Sequence, residues 1–209
     1  MNNIIKSILS GILISIGGTV YLSSINSGVP WFGAILFSAG LFTICEYGYN
    51  LYTGKVGYIG FHFKDVKYIG LVLLICLFNI LTTFVLGFLI GKNFTEVAQT
   101  AQTIYEKKLT ASLVKAFVSS VFCGILMFLA VDTWKRGKKI GVFLYVPVFI
   151  ICGFDHSIAN SFYNGASFAA GSSLTFSFSN LIFILLVVLG NGLGGITFPV
   201  LTRFLKEEK

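Results

Sequence analysis

Long apolar runs fill this chain, and they constrain its fold more than any other feature. A helix that crosses the hydrocarbon core of a bilayer needs about 20 predominantly apolar residues. Six runs meet or approach that length, at residues 8–24, 31–49, 68–91, 112–132, 140–162 and 177–205. We therefore predict an all-α membrane protein with six transmembrane helices, which form one transmembrane domain over residues 1–209.

Basic residues are distributed unequally between the two sides of the predicted membrane. Four lysines fall on one side of the predicted membrane: Lys92, Lys107, Lys108 and Lys115. Eleven basic residues fall on the other: Lys6, Lys55, Lys64, Lys67, Lys135, Arg136, Lys138, Lys139, Arg203, Lys206 and Lys209. Cytoplasmic loops carry an excess of Lys and Arg, so we expect both termini in the cytoplasm. This topology and anionic lipid account for the net charge of +7, which gives no reason to expect a nucleic-acid partner.

Residue patterns that indicate an enzyme or a metal site are missing from the sequence. The two histidines show no HxxxH or HxxE spacing. The stretch Gly192-x-Gly194-Gly195 lies within an apolar run and is no dinucleotide fingerprint. The four cysteines fall inside predicted helices without a CxxC pair, so we interpret them as small buried hydrophobes: Cys45, Cys76, Cys123 and Cys152. We expect no metal, no cofactor and no enzymatic activity.

The six predicted helices divide into two sets of three that enter the membrane from opposite faces. Inverted repeats place binding sites near the midplane, where corresponding helices are interrupted. The second helix of the first set runs into residues 46–55, which are polar and contain glycine, and the second helix of the other set runs into residues 152–157. Irregular backbone at that depth persists only where protein or a water-filled cavity covers it. We therefore expect the two breaks to meet and line one passage.

Asp155 and His156 stand inside the apolar run that begins near Ile140. Ionisable groups at membrane depth are costly and mark routes for ions or protons. A satisfied core histidine is the alternative for His156. We interpret Asp155 as structural, accepting backbone N–H groups at the break. Glu46 either caps the neighbouring loop or meets another subunit.

Four motifs in chain order resemble the formate/nitrite transporter family of anion channels. Residues 153–162 read Gly-Phe-Asp-His-Ser-Ile-Ala-Asn-Ser-Phe, similar to its Gly-Phe-Glu-His-Ser-Ile/Val-Ala-Asn-x-Phe signature with Asp155 in place of the glutamate. Residues 51–54, Leu-Tyr-Thr-Gly, resemble its Leu-Phe-Thr-Gly/Ser loop. Residues 126–131, which end in Leu-Ala-Val, resemble the end of its Cys-Asn-x-x-Val-Cys-Leu-Ala-Val helix. Residues 189–195, Leu-Gly-Asn-Gly-Leu-Gly-Gly, resemble its Leu-Gly-Asn-Ile-Ile-Gly-Gly.

This resemblance covers nearly the whole chain and implies an aquaporin-like fold. It implies two inverted three-helix repeats with broken second and fifth helices, and a single transmembrane channel domain. It also implies a homopentamer in the lipid bilayer, in which each subunit holds its own pore.

The functional positions of the family fall one at a time on residues of this chain. Its central pore histidine falls on His156, and the loop threonine that hydrogen-bonds it falls on Thr53, for which a helix cap is the alternative. A vestibule lysine at the start of the fourth helix falls on Lys108, for which an exposed loop lysine is the alternative. The constriction residues fall on Leu41 and Phe149, with Phe37 nearby, on the cytoplasmic side, and on Tyr52 and Met127 on the outer side.

Two positions depart from the family pattern. Gly124 stands where many members have a pore asparagine on the fourth helix, which we expect to remove a polar contact and to widen the passage locally. Tyr52 replaces the usual phenylalanine and brings a hydroxyl group near the outer constriction.

The resemblance implies a channel that passes small monovalent anions of weak acids, such as formate, nitrite or hydrosulfide. Gly124 favours hydrosulfide within this class, because a less polar passage suits a softer anion. The alternative from another class is a membrane scaffold or sensor that keeps the fold without transport. A water or glycerol passage lacks its twin Asn-Pro-Ala loops here. The richness in Lys, Asn, Ile and Phe suggests an AT-rich bacterial genome, so we expect the protein in the cytoplasmic membrane of a bacterium.

Overall fold

The computed structural model describes residues 1–205, and every regular element in that part of the chain is a helix. Lys206 and Lys209 lie outside the described residues. The α-helices are α1 Asn2–Asn26, α2 Pro30–Glu46, α3 Tyr52–Lys55, α4 Val66–Asn93, α5 Thr95–Leu109, α6 Leu113–Lys135, α7 Ile140–Ile151, α8 Ser157–Ala169 and α9 Phe178–Leu201. Short 3-10 helices occupy Val56–Phe61, Ser173–Phe176 and Thr202–Phe204. The prediction of an all-α chain is confirmed.

Four helices are long and apolar enough to cross a bilayer: α1, α4, α6, and α9 with the 3-10 turn that follows it. α2 and α7 are apolar but shorter, at 17 and 12 residues. The predicted run 140–162 therefore contains two helices, α7 and α8, with residues 152–156 between them. The run 31–49 forms a helix only as far as Glu46, and residues 47–51 connect it to α3.

α2 and α7 end in the same way. Each is followed by a glycine in the left-handed region, Gly48 at φ +63° and Gly153 at φ +69°, which a residue with a Cβ rarely adopts. The next residue, Tyr49 or Phe154, donates its N–H to a carbonyl of the last helical turn over 2.9 Å. At both places the backbone thereby turns away from the helix axis, and it continues through a short loop into a new helix.

Both ends of the described chain lie at one face of the molecule, which we call the terminal face. Arg203 at the end of α9 donates to the carbonyl of Gly60, just before α4. At the same face Lys139 pairs with Glu46 over 2.8 Å, which joins the start of α7 to the end of α2. The opposite face carries α5 and the connection between α8 and α9.

Close helix contacts depend on glycine. α4 packs extensively on α8, and α6 on α9. A Cβ at Gly165 of α8 would overlap the carbonyl oxygen of Phe84 in α4, and one at Gly194 of α9 would overlap that of Val121 in α6. Small residues let membrane helices approach until their backbones touch, which is where most of their packing energy comes from.

Gly124 belongs to the same class of contact. A Cβ at this position would overlap the carbonyl oxygen of Asn191 in α9. The close packing of α6 on α9 therefore explains why this position is a glycine. No room exists there for the asparagine that many family members carry at this position.

We predict that Gly124→Asn destabilises the protein, whereas Gly70→Ala does not. Overpacking a close contact costs typically 1–3 kcal/mol, and each kcal/mol lowers the Tm of a chain of this size by about 2–4 °C. Gly70 is the matched control because its Cβ would meet no atom within 4 Å. Thermal unfolding of the detergent-solubilised protein measures both variants. A Gly124→Asn protein with an unchanged Tm would contradict the packing account.

Candidate functional site

His156 precedes α8 and caps its first turn. Its backbone is extended, at φ −95° and ψ 113°, and its ring Nδ1 accepts the N–H of Ala159 over 3.1 Å. A ring nitrogen that accepts a hydrogen bond carries no proton, so the neutral ring holds its proton on Nε2. This assignment follows from the hydrogen-bond network around the ring.

Thr53 is the partner of that Nε2–H group. Its Oγ1 lies 3.0 Å from Nε2 of His156, and both side chains are buried, with exposed fractions of 0% and 2%. Thr53 lies on α3, behind the loop that follows α2, so the bond joins the two places where α2 and α7 end. The Thr53 side chain makes no other hydrogen bond within residues 1–205. Its own O–H therefore remains a donor.

Asn79 of α4 holds the loop that follows α2. Its Oδ1 accepts the N–H of Tyr52 over 2.8 Å, and its Nδ2 donates to the carbonyls of Asn50 and Ser7, over 3.1 and 2.8 Å. Asn79 has no exposed surface. One buried amide thus satisfies two backbone groups that would otherwise be unpaired at membrane depth, the N–H of Tyr52 and the carbonyl of Asn50, and joins them to a carbonyl inside α1.

Asn191 of α9 does the same for the loop that follows α7. Its Oδ1 accepts the N–H of Ser157, and its Nδ2 donates to the carbonyls of Asp155 and Ser120, each over 2.8 Å. The two asparagines contact corresponding groups: the first N–H of the helix after the loop, a loop carbonyl, and a carbonyl of another long helix. The backbone on either side of the His156–Thr53 pair is fixed in this way.

Asp155 pairs with Lys108. Oδ1 of Asp155 lies 2.6 Å from Nζ of Lys108 and accepts Nδ2 of Asn160 over 3.0 Å. Lys108 also donates to the carbonyl of Gly153 over 3.1 Å. The sequence predicts backbone N–H groups as partners of this carboxylate, but both of the partners that the structure gives its Oδ1 are side chains. Lys108 lies near the end of α5 and before α6, where its charge is balanced by Asp155.

Glu106 anchors the end of α5 at the face opposite the terminal face. Its Oε1 accepts hydrogen bonds from Ser172 over 2.7 Å and from Gln102 over 3.0 Å. These two bonds stabilise the ionised form and lower the pKa of Glu106. α5 is thereby attached to the connection between α8 and α9, which holds Lys108 near Asp155.

A cavity of about 60 Å³ opens beside Lys108. We call it the Lys108 cavity and define it by Tyr21, Lys108, Phe149, His156, Asn160 and Tyr163. The ring of Phe149 stacks on that of His156, with centroids 5.4 Å apart, and meets the edge of Phe37 at 6.2 Å. An apolar pair therefore adjoins His156 on this side.

A second cavity, of about 90 Å³, lies on the terminal face. We call it the Lys135 cavity and define it by Leu41, Leu51, Gly54, Lys55, Val131 and Lys135. Leu51 and Gly54 flank the segment that carries Thr53. His156 thus borders one cavity, and the chain neighbours of Thr53 border the other.

The sequence of this chain matches a known protein family over the whole of its described length. The family model described as formate/nitrite transporter matches residues 1–205. The chain belongs to the formate/nitrite transporter family. The resemblance that the four sequence motifs indicate is confirmed.

The chain is similar in sequence to a bacterial transporter and in fold to two solved channels. The uncharacterized transporter YrhG of Bacillus subtilis (strain 168) is 29% identical over an alignment of 195 residues, which covers 85% of this chain and 71% of that protein. A solved FNT family ion channel is 20% identical with a TM-score of 0.85, covering 97% of this chain and 89% of its own. A pentameric formate channel with formate bound is 22% identical with a TM-score of 0.78, covering 97% and 95%.

The predicted constriction residues of this family member lie in four places, and Leu41 is separate from Phe149 and Phe37, with which the resemblance grouped it in one cytoplasmic constriction. Leu41 borders the Lys135 cavity, whereas Phe149 borders the Lys108 cavity, with Phe37 against it. The hydroxyl of Tyr52 donates to the carbonyl of Val188 over 2.9 Å, and its ring lies in an outward-facing apolar groove. Met127 is buried on α6 and borders neither cavity.

Sequence reasoning missed several residues of the site. Asn191 and Leu51 stand inside recognised motifs, yet neither was assigned a role. Asn79 was overlooked, although a single amide in an apolar run is a signal of a buried polar contact. Lys55 and Lys135 were read only as topology signals, whereas both border a cavity. Glu46, for which two roles were open, pairs with Lys139 of the same chain.

We predict that Asn191→Ala lowers the Tm by about 5–10 °C. The change leaves two buried backbone groups without a partner, the N–H of Ser157 and the carbonyl of Asp155, and each such group costs roughly 1–3 kcal/mol, of which part is recovered by relaxation. Thermal unfolding followed by intrinsic fluorescence measures the effect. The matched control is Asn93→Ala at the exposed end of α4, where the amide bonds only to the carbonyl of Leu89. Equal Tm values for the two variants would contradict the role of Asn191.

Proposed function

We propose that this protein is a channel that passes small monovalent anions of weak acids, such as formate, nitrite or hydrosulfide, across the cytoplasmic membrane of a bacterium. The observation that carries the proposal is the buried hydrogen bond between His156 and Thr53, with one cavity on each side of it. Membership of the formate/nitrite transporter family supports it. A relative in Bacillus subtilis that bears the name of a transporter supports it as well.

The chain crosses the membrane six times, in two inverted three-helix repeats whose second members are interrupted at residues 47–51 and 152–156. Two sets of matching contacts support this arrangement. Gly48 and Gly153 end α2 and α7 alike, and Asn79 and Asn191 hold the following loops through corresponding bonds. The excess of Lys and Arg at the terminal face supports cytoplasmic termini.

The protein assembles as a homopentamer in which each subunit holds its own passage. The solved relative that is a pentameric formate channel supports this assembly. The outer surfaces of α4 and α9 are strongly apolar, as membrane lipid and neighbouring subunits require; their exposed leucines include Leu73, Leu77, Leu81, Leu185, Leu189 and Leu193.

An anion enters from the face opposite the terminal face and reaches the Lys108 cavity. A lysine in a cleft with low-dielectric walls raises the local anion concentration, and Asp155 moderates that attraction so that the anion is also released. The substrate then passes Phe37 and Phe149 as the neutral acid, meets the His156–Thr53 pair, and passes Leu41 and Leu51. It leaves through the Lys135 cavity, where Lys55 and Lys135 supply positive charge.

Apolar constrictions explain the preference for weak acids. Hydrophobic rings exclude water and therefore block a bare ion, which would lose its hydration there. A weak acid crosses the rings with its charge neutralised by a proton and regains the anionic form in the next cavity. Within residues 1–205, His156 and Thr53 are not joined to the nucleophile, general base and orienting acid that a hydrolase or transferase combines. We propose no catalytic role for them.

His156 orients the passing molecule and does not supply the proton. A neutral histidine gives up a proton only after its other nitrogen has gained one, and Nδ1 is occupied by the N–H of Ala159. The group offered to the substrate is the O–H of Thr53, which His156 holds in place through the hydrogen bond from its Nε2–H. The proton accordingly comes from the solution as hydronium in the cavity in which the anion waits, and it returns to water when the acid ionises in the next cavity.

Anion flux into liposomes tests the proposal. The purified protein is reconstituted, and stopped-flow uptake of formate, nitrite and hydrosulfide is measured for the wild type, His156→Asn and Thr53→Val. We expect passage of at least one anion, and a loss of about tenfold or more in both variants, because a buried polar contact made during passage is removed. The control is His62→Gln, an exposed histidine in the loop before α4.

The outcomes separate the alternatives. Flux that is lost with either site variant and kept with His62→Gln supports the channel and names its substrate. Flux that is equal in all four proteins reduces His156 to a structural residue. A protein that passes none of the three anions overturns the channel and favours a scaffold or sensor.

The expectation that Gly124 favours hydrosulfide rested on a wider passage at that position. Gly124 packs against the backbone of α9, so it does not favour hydrosulfide over the other anions.

A further inference from the structure

The outer surface between α4 and α9 carries an apolar groove that the proposed passage does not use. Its volume is about 440 Å³, several times that of either cavity. Its walls come from α4, α6, α9 and the 3-10 helix that precedes α4, and they include Val56, Ile59, Val72, Phe117, Leu189 and Ile196. Because all six side chains are apolar, the groove suits a hydrocarbon chain and not an anion. We call it the α4–α9 groove.

Gly192 keeps this groove open. A Cβ at this position would lie 3.2 Å from the hydroxyl of Tyr52 and 3.4 Å from Cγ2 of Val56, and all three residues border the groove. The family motif that residues 189–195 resemble has isoleucine where this chain has Gly192. The hydroxyl of Tyr52 donates to the carbonyl of Val188, which holds the ring of Tyr52 at the groove wall. The chain therefore leaves a space where the motif carries a side chain.

The groove lies in the half of the bundle that is nearer to the terminal face. Along α9 it extends from Leu189 to Ile196, a distance of about 10 Å at the rise of an α-helix. One leaflet of the hydrocarbon core is about 15 Å deep. The groove therefore has the length of most of one acyl chain in the leaflet at the terminal face.

Arg203 marks the end of the groove at that face. Its guanidinium donates to the carbonyl of Gly60, the residue after Ile59, and lies 5.4 Å from the ring centroid of Phe63. A guanidinium group has five N–H donors, so most of them remain free for another acceptor. A phosphate oxygen is such an acceptor, and arginine binds phosphate through paired N–H groups.

Two exposed lysines stand beside Arg203. Lys64 follows Phe63 directly, and Lys67 lies in the first turn of α4. Asp65 stands between them and accepts the N–H of Tyr68 as the cap of α4, over 3.0 Å. Three positive charges and one negative charge are thus collected where the groove meets the membrane surface. Lys64 and Lys67 form no ion pair within residues 1–205.

We propose that the α4–α9 groove and its basic end bind one anionic phospholipid, with an acyl chain in the groove and the phosphate group at Arg203, Lys64 and Lys67. Charge complementarity selects this occupant, because basic clusters at the membrane surface attract anionic lipid. An acyl chain gains close van der Waals contact where Gly192 leaves space. The chain packs on the ring of Tyr52, the neighbour of Thr53, so the lipid supports the segment that carries Thr53.

A change of charge tests the headgroup end. The detergent-solubilised protein is titrated with phosphatidylglycerol or phosphatidylcholine of equal chain length, and native mass spectrometry measures the bound fraction. We expect the wild type to bind phosphatidylglycerol about tenfold more tightly, and Lys64→Gln/Lys67→Gln to lose this preference, because each basic residue adds to the attraction. The matched control is Lys92→Gln/Lys115→Gln, which removes the same charge from exposed residues at the opposite face and keeps the preference.

Filling the groove tests the acyl-chain end. Tyr52→Phe/Gly192→Ile restores both residues of the family motifs and occupies the space beside Val56. We expect this variant to bind both lipids about fivefold more weakly or worse, since the acyl chain loses its packing contacts. Leu185→Ile is the control, because this exposed leucine of α9 lies outside the groove and keeps its volume. Tm and size-exclusion elution show that each variant is folded.

Three results would each overturn the inference. They are equal affinity of the wild type for the two lipids, an unchanged preference in Lys64→Gln/Lys67→Gln, and unchanged lipid binding after the groove is filled. A filled groove that alters the oligomeric state and leaves lipid binding unchanged overturns it as well, because a neighbouring subunit would then cover the groove. No step depends on transport, so the absence of anion flux would leave the lipid site standing.

Discussion

The structure depends on satisfying backbone groups at membrane depth. Two loops, residues 47–51 and 152–156, carry non-helical backbone into the middle of a helical bundle, where an unpaired N–H or C=O group costs several kcal/mol. Asn79 and Asn191 each satisfy two such groups and also bond to a carbonyl of a long helix, and neither amide has exposed surface. Because the loops are fixed, Oγ1 of Thr53 lies 3.0 Å from Nε2 of His156. This contact depends on the hydrogen bonds that Asn79 and Asn191 make to the two loops.

Charge is arranged differently in the two cavities. Lys108 is 2.6 Å from Asp155, so an anion in its cavity meets hydrogen-bond donors more than net charge. Lys55 and Lys135 form no ion pair within residues 1–205, and their cavity on the terminal face is the more positive one. A site that holds an anion too strongly slows its passage, since conduction requires release as well as entry. In the proposed channel, the Lys108–Asp155 pair serves that balance.

Most of the architecture was predictable because it follows from local patterns. Apolar runs predict the long helices, and the motif around His156 predicts the loop before α8. What failed to follow from the sequence was the direction of individual side chains. Phe149 and Leu41 face different cavities, and Gly124 faces the backbone of Asn191, because packing between distant helices sets these directions. The partner of an isolated amide such as Asn79 is likewise fixed only by the fold.

The central claim is that a neutral His156 accepts at Nδ1 and donates from Nε2 to Thr53. Solid-state NMR of ¹⁵N-histidine-labelled protein in lipid bilayers at pH 7 tests it directly. The chain has two histidines, so the His62→Gln variant leaves a single labelled ring. The account predicts a neutral ring with its proton on Nε2 and a bare Nδ1. An imidazolium signal, or a neutral ring with its proton on Nδ1, would contradict it.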